Sequence, residues 1–318
     1  MKQALKTEGV LFALLVGILM ILMTQVVTAQ STTDERFNGS VSIGPAEERF
    51  HCFDTRIPVR YGLDALCGTK TDVNGKAWTV PSQVAVGGRT CTDLDNPLTG
   101  GTNRTHERGL ATVIIDQDGE EITAYLYGDN YFELYVNNMY ICRDPIGFTP
   151  FNTSVARFKA SYPLTYTILL VDWEEYLGIG MEYANYNVGD GGFVASFSDG
   201  TVTNENWRCE VFYIAPLDDP RCVEGRDSSS CPSRPANHST PKSLQALHFD
   251  LPANWTSASI DDSSWPNATI WNNATVRPTS EYTEHRAQFG KAKFIWSPNL
   301  DLDNQVVCRL TVSAPPQP

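Results

Sequence analysis

The sequence predicts an all-β protein: an antiparallel β-sandwich preceded by a disulfide-tied, loop-rich N-terminal region. Three observations lead there. Short apolar stretches follow one another from residue 111 onward, separated by Gly, Asn, Asp and Pro, and almost nothing sustains a 3.6-residue period. Several of them alternate apolar and polar side chains, as a half-buried strand requires. The eight cysteines, Cys52, Cys67, Cys91, Cys142, Cys209, Cys222, Cys231 and Cys308, form an even set without a C-x-x-C pair. Disulfides in an oxidising compartment are therefore expected, and spacing alone does not choose their pairing.

At the N-terminus, Lys2 and Lys6 precede an apolar run from Val10 to Met23 that closes on Val27-Thr28-Ala29. This is the order of a secretory signal peptide, residues 1–29, cleaved after Ala29. A membrane anchor would need about 20 residues, a length reached only by counting polar Thr24 and Gln25. Cleavage leaves 22 basic side chains against 36 acidic ones, a net charge of about −14. Such a surface repels phosphate backbones, which argues against a nucleic-acid partner, and the cleaved chain has no segment suited to a membrane. The remaining sequence points to a secreted, extracellular protein. Sequons at Asn38, Asn103, Asn152, Asn237, Asn254, Asn267 and Asn273 agree, because N-glycosylation belongs to the same route.

Residues 30–109 hold three cysteines and few clear strands. The β pattern is concentrated in residues 110–215. ATVII and EITAYLY flank Asp116-Gln117-Asp118-Gly119 and read as a hairpin turning at Asp-Gly. Strands then follow at Tyr131 to Val136, Met139 to Cys142, Val155 to Lys159, Tyr166 to Val171 and Phe193 to Phe197. Asp199-Gly200 makes another turn before Arg208 to Ala215. Residues 216–245 are Pro- and Ser-rich, too polar to bury anything, and read as a linker stapled by Cys222 and Cys231. Residues 246–318 resume with Trp255, Trp265 and Trp271 and the strands KFIW, ending in Trp296, and VVCRLTV. They are either a second module or the completion of the sandwich.

Chemistry is sparse. H-E-x-x-H, the G-x-S-x-G elbow and Gly-rich phosphate loops are all missing, so no catalytic residue is assigned. Tyr131, Glu133 and Tyr135 alternate with the core residues Phe132, Leu134 and Val136. They form a second strand face, directed outward or under a covering loop, suited to a sugar. Trp173 joins these candidates, flanked by Asp172, Glu174 and Glu175, which in a glycosidase would be paired carboxylates. Asp116 and Asp118 are candidate ligands of a structural calcium ion, although Gly119 follows too closely for a helix-loop-helix calcium site. No other cofactor is expected.

Three segments resemble galactose-binding-like modules, which are jelly-roll-type β-sandwiches. GDNYFELYVNN (Gly128 to Asn138) is similar to their D-D-x-F-x-x-Y-V-N-G strand and turn. DDSSWPNA (Asp261 to Ala268) is similar to their D-D-S-x-W-x-x-A segment. FIWSPNLDLDNQVVCRLTV (Phe294 to Val312) is similar to their W-x-W and following Arg-bearing strand. In the family the D-D-S-x-W segment normally precedes the Y-V-N strand, whereas here it follows by more than 120 residues. The resemblance implies a secreted, non-enzymatic role in glycan binding or architecture, with glycans or extracellular matrix components as partners. A second reading is an acidic, calcium-associating matrix protein, and a third is a glycosidase.

Overall fold

The computed structural model describes residues 41–45, 69–71, 77–79, 89–94, 109–129, 131–145, 153–172, 191–232 and 245–315, all within the compact unit Thr32–Pro318. The signal segment, Cys52, Cys67, Asn38, Asn103, Asn152, Asn237, Trp173, Glu174 and Glu175 lie outside these residues.

Strands are β1 (Val41–Pro45), β2 (Thr69–Thr71), β3 (Ala77–Thr79), β4 (Thr92–Asp93), β5 (Thr112–Ile114), β6 (Glu120–Asp129), β7 (Tyr131–Val136) and β8 (Met139–Arg143). They continue as β9 (Ser154–Ala160), β10 (Leu164–Val171), β11 (Gly192–Phe197), β12 (Arg208–Leu217), β13 (Gln245–Phe249), β14 (Thr269–Trp271), β15 (Phe294–Trp296) and β16 (Asp303–Val312). Two seven-stranded sheets result. The first runs β1-β13-β12-β16-β10-β7-β8, and the second runs β14-β15-β11-β6-β9-β4, with β5 also on β9. All strand pairs are antiparallel except β5 with β9. The expected all-β sandwich is therefore present, and β13 to β16 pair into the same two sheets as the strands before residue 215.

The core follows from period-two alternation. Phe132 on β7 meets Phe193 on β11 with ring centroids 5.6 Å apart, and Tyr166 on β10 meets Phe197 at 4.3 Å. These contacts bridge the sheets and fix which face of each strand looks inward. Trp207, Ile168, Leu170 and Val306 are likewise fully buried. Asn137 and Asn138 turn β7 into β8 with φ of 49° and 68°, the left-handed pair that a two-residue hairpin needs and asparagine tolerates. Asn137 also ties this turn to β10, accepting the Thr165 N–H on its Oδ1 at 2.8 Å.

The expected hairpin at Asp116 to Gly119 is corrected. The turn exists, but β5 and β6 do not pair; they lie on opposite edges of β9. The chain crosses over the end of β9, where the N–H groups of Ile115 and Asp116 both donate to the Lys159 carbonyl. Gly119 allows the crossing, because a Cβ there would sit 2.2 Å from the backbone carbon of Ala160. Gly119→Ala is expected to cost about 1–3 kcal/mol, the range for overpacking. Thermal unfolding checks this, and an unchanged midpoint would contradict the crossing.

Both outward sheet faces carry a cover. Over the second sheet lie three short helices, α1 (Asn273–Val276), α2 (Ser280–Glu284) and α3 (Arg286–Phe289). Their Val276, Tyr282 and Phe289 are buried, and Tyr282 packs on Tyr127 and Phe294 with centroids 5.5 and 5.0 Å apart. Over the first sheet lie residues 251–268, anchored by buried Trp255 and Trp265. The segment after β12, expected to bury nothing, also packs down: Val223 and Ser228 are buried and Cys222 is bridged to Cys231. Its polar side chains satisfy their hydrogen bonds against the sheet, which a composition argument does not register.

Two more bridges, Cys91 to Cys142 and Cys209 to Cys308, complete the disulfides seen, and no described cysteine is free. Among the described residues no helix is long and apolar enough to cross a membrane.

Candidate functional site

The outward face of β7 is the natural starting point. Tyr131, Glu133 and Tyr135 share it, as the alternation requires, but none is open to solvent: they are 5, 0 and 4 % exposed. The Tyr131 hydroxyl donates to Glu133 Oε1 at 2.8 Å and the Tyr135 hydroxyl donates to Oε2 at 2.7 Å. Glu133 also lies directly across from Arg143 on β8. Burial, then the Glu133 charge, pushes both tyrosines well above the ordinary phenol range, so they remain donors. Each carboxylate oxygen is taken by a tyrosine, and the cluster acts as a satisfied polar brace inside the fold.

Trp255 closes this face from above, edge-on to Tyr135 with centroids 4.9 Å apart, and Tyr140 flanks it at 5.4 Å. Of the two arrangements expected for this face, outward or under a covering loop, the structure shows the second. A sugar stacked on Tyr135 would have to displace Trp255, and Trp255 is held through its own carbonyl by Arg309.

Arg309 organises the cover. It is 1 % exposed, and its Nε donates to Asp262 Oδ2 at 2.9 Å. Nη1 donates to Thr167 Oγ1 at 2.9 Å and to the Trp255 carbonyl at 2.7 Å, while Nη2 donates to the Ser257 carbonyl at 2.8 Å. Trp265 lies on Phe212 with centroids 5.8 Å apart, and Arg208 Nη1 donates to the Ser263 and Trp265 carbonyls, both at 2.9 Å. The planar guanidinium fork matches several acceptors held on a strap, as a lysine would not. Two of the segments singled out in the sequence meet here directly, Asp262 and Trp265 from the second at Arg309 from the third, and Tyr135 from the first joins them through Trp255. Sequence order did not announce the meeting.

Asp116 and Asp118 occupy the crossover turn. Asp116 Oδ1 accepts the Asp118 N–H at 3.0 Å, Ser161 Oγ donates to Oδ2 at 2.5 Å, and Lys159 donates to the Gln117 carbonyl. These hydrogen bonds, with Lys159 nearby, hold the Asp116 carboxyl below its usual range. The same i to i+2 pattern recurs at Asp199, Asp219, Asp227 and Asp261, each accepting a backbone N–H two residues on. The acidic pairs work as turn formers, and among the described residues no three His, Cys, Asp or Glu side chains are grouped to hold a metal ion.

Asp172, the one described acid of the candidate glycosidase stretch, is fully buried, with its N–H bonded to the Asn304 carbonyl at 3.0 Å. Among the described residues a cavity lies beside the Cys91 to Cys142 bridge, lined from β4, β5, β8 and β9 and their flanks. Its volume is about 120 Å³, with Ile141, Val113 and Val155 in its walls and Arg89 and Arg157 at its polar side. Arg89 Nη1 donates to the Ile141 carbonyl at 3.1 Å, and Arg157 Nε lies 3.7 Å from Glu121 Oε1. Arginines this far apart along the chain offered no motif by which to expect it. Asn254, Asn267 and Asn273, the sequons among the described residues, are all exposed.

No protein-family model, no curated protein and no solved structure matches the chain.

Proposed function

We propose that the chain is a secreted, non-enzymatic glycoprotein whose sandwich is a galactose-binding-like, jelly-roll-type module serving as an extracellular binding or structural component, with glycans as the ligand class. The observation that carries this reading is the joining of the three resembling segments: the second meets Arg309 of the third through Asp262, and Tyr135 of the first is linked to them through Trp255, whose carbonyl Arg309 holds. Segments separated in sequence by more than 120 residues are joined in one structural unit, as parts of a single module would be. Paired cysteines suit an oxidising compartment, and exposed sequons suit glycosylation. Because both sheet faces are covered, ligand contact falls to the edges and loop ends, and among the described residues the cavity lined by Arg89 and Arg157 is a concave surface at such an edge.

A glycan array probed with the mature, disulfide-intact protein tests the proposal, with and without calcium. Selective binding of one glycan class is expected, retained in Tyr135→Phe because that ring is buried. An array without any selective signal under either condition would refute the glycan assignment. Binding that vanishes in Tyr135→Phe would move the contact back to the covered face.

A further inference from the structure

Between β12 and β13 the chain leaves the sheet through a 3-10 turn at Pro220–Cys222 and folds into a tight loop closed by the Cys222 to Cys231 bridge. The Arg226 guanidinium lies 4.5 Å from the Phe212 ring centre and 4.6 Å from that of Phe249, and its Nη1 donates to the Val211 carbonyl at 2.6 Å. Ser228 points inward. Its Oγ donates to Asp303 Oδ1 at 2.6 Å, and its carbonyl accepts Asn299 Nδ2 at 3.1 Å. Asp303 opens β16, 1 % exposed, where the Trp296 indole N–H donates to its backbone carbonyl at 2.9 Å.

The groups facing the Asp303 carboxyl are Ser228 and Asp227 from the loop, Glu210 from β12 and Ser297 from the turn after β15. They are neutral or acidic. Of the loop's two cations, Arg221 pairs with Asp219, and Arg226 has Glu210 and Asp250 as its charged neighbours. A carboxyl buried away from solvent, beside two acids, favours its protonated form, and the serine hydroxyls offset this only in part. Burial, set against the Ser228 hydrogen bond and the nearby Ser297 hydroxyl and aided by Asp227 and Glu210, raises its pKa to about 7.

We propose that Asp303 and Ser228 form a proton-operated latch, which holds the Cys222 to Cys231 loop on the sandwich in acid and loosens it as pH approaches neutrality. An opened loop returns the carboxyl to water, where its pKa is near the ordinary 3.8. The closed state binds the proton more tightly, so its advantage is complete below that value, declines as pH rises and is gone above about 7. One proton links the two states, so the opening constant rises about tenfold per pH unit between these limits. Opening uncovers the apolar Phe212 and Val223, buried beneath and within the loop.

Hydrogen exchange of the mature protein between pH 5 and 8, expressed as protection relative to intrinsic rates, reads the latch in residues 220–231. Wild-type protection is expected to fall about tenfold per pH unit up to neutrality and then level off, with the amides of β16 as an internal control. Asp303→Asn keeps the shape without the titration and should give a flat profile. Ser228→Ala removes a donor to the ionised form and should move the levelling point to higher pH. A flat wild-type profile overturns the latch, as does a slope preserved in Asp303→Asn. Should Asp303→Asn fail to fold, an unmoved levelling point in Ser228→Ala overturns it equally.

Discussion

Arg309→Ala is expected to destabilise the protein by up to about 3–5 kcal/mol, the range for breaking a buried ion pair, because Arg309 is buried, Asp262 is partly so, and three further acceptors are orphaned. Asp262 loses its cation, and the Thr167 hydroxyl and the Trp255 and Ser257 carbonyls lose their donor at the same stroke. The strap over the first sheet should loosen before the sandwich does. Urea unfolding gives the magnitude, and a red shift of tryptophan emission reports Trp255 and Trp265 meeting water. Arg309→Lys keeps the charge but not the fork, so it should recover only part of the loss. A cost below about 1 kcal/mol would mean that the strap is held by its apolar anchors and its other hydrogen bonds, those from Arg208 among them, rather than by Arg309.

Replacing Cys209 and Cys308 together by alanine should have an effect of similar size. The two residues lie directly opposite on β12 and β16, central strands of the first sheet, and are 99 residues apart in sequence. Cross-linking removes conformational freedom from the unfolded chain in proportion to the logarithm of the loop closed, and losing such a bridge typically costs about 2–5 kcal/mol. The inward position adds a void where the sulfurs were. Removing the Cys222 to Cys231 bridge, with a separation of only 9, is the natural comparison and should cost less globally while raising exchange in its own loop. Equal losses from the two pairs would argue that strain or residual structure, not loop length, sets the stability of this fold.

The strands were legible because burial on one face imposes a period of two, and that period survives in Phe132, Leu134 and Val136 whatever lies above them. Their ends differ from the expected bounds by a residue or a few, as at β6 and β16, because pairing continues where the hydrophobic pattern has stopped. The outward face of β7 was not readable in the same way. Tyr131, Glu133 and Tyr135 would look the same in sequence beneath a bound sugar or beneath Trp255, since only the partner differs. Likewise, Asp-Gly at residues 118 and 119 predicts a turn, yet β9 inserts between the strands it joins. Local chemistry specifies the bend and is silent about what pairs with either arm.

By itself the sequence determined the class of fold, the cysteine set and the three short segments around Gly128, Asp261 and Phe294. These depend on side-chain alternation and on residue types, which are local quantities. Only the tertiary structure decided that Asp262, Arg309 and Trp255 join those segments, that both sheet faces are covered, and that Asp303 is sealed under Ser228. Each of these rests on side chains brought together from distant parts of the chain, where burial and hydrogen-bond satisfaction are properties of the assembled fold.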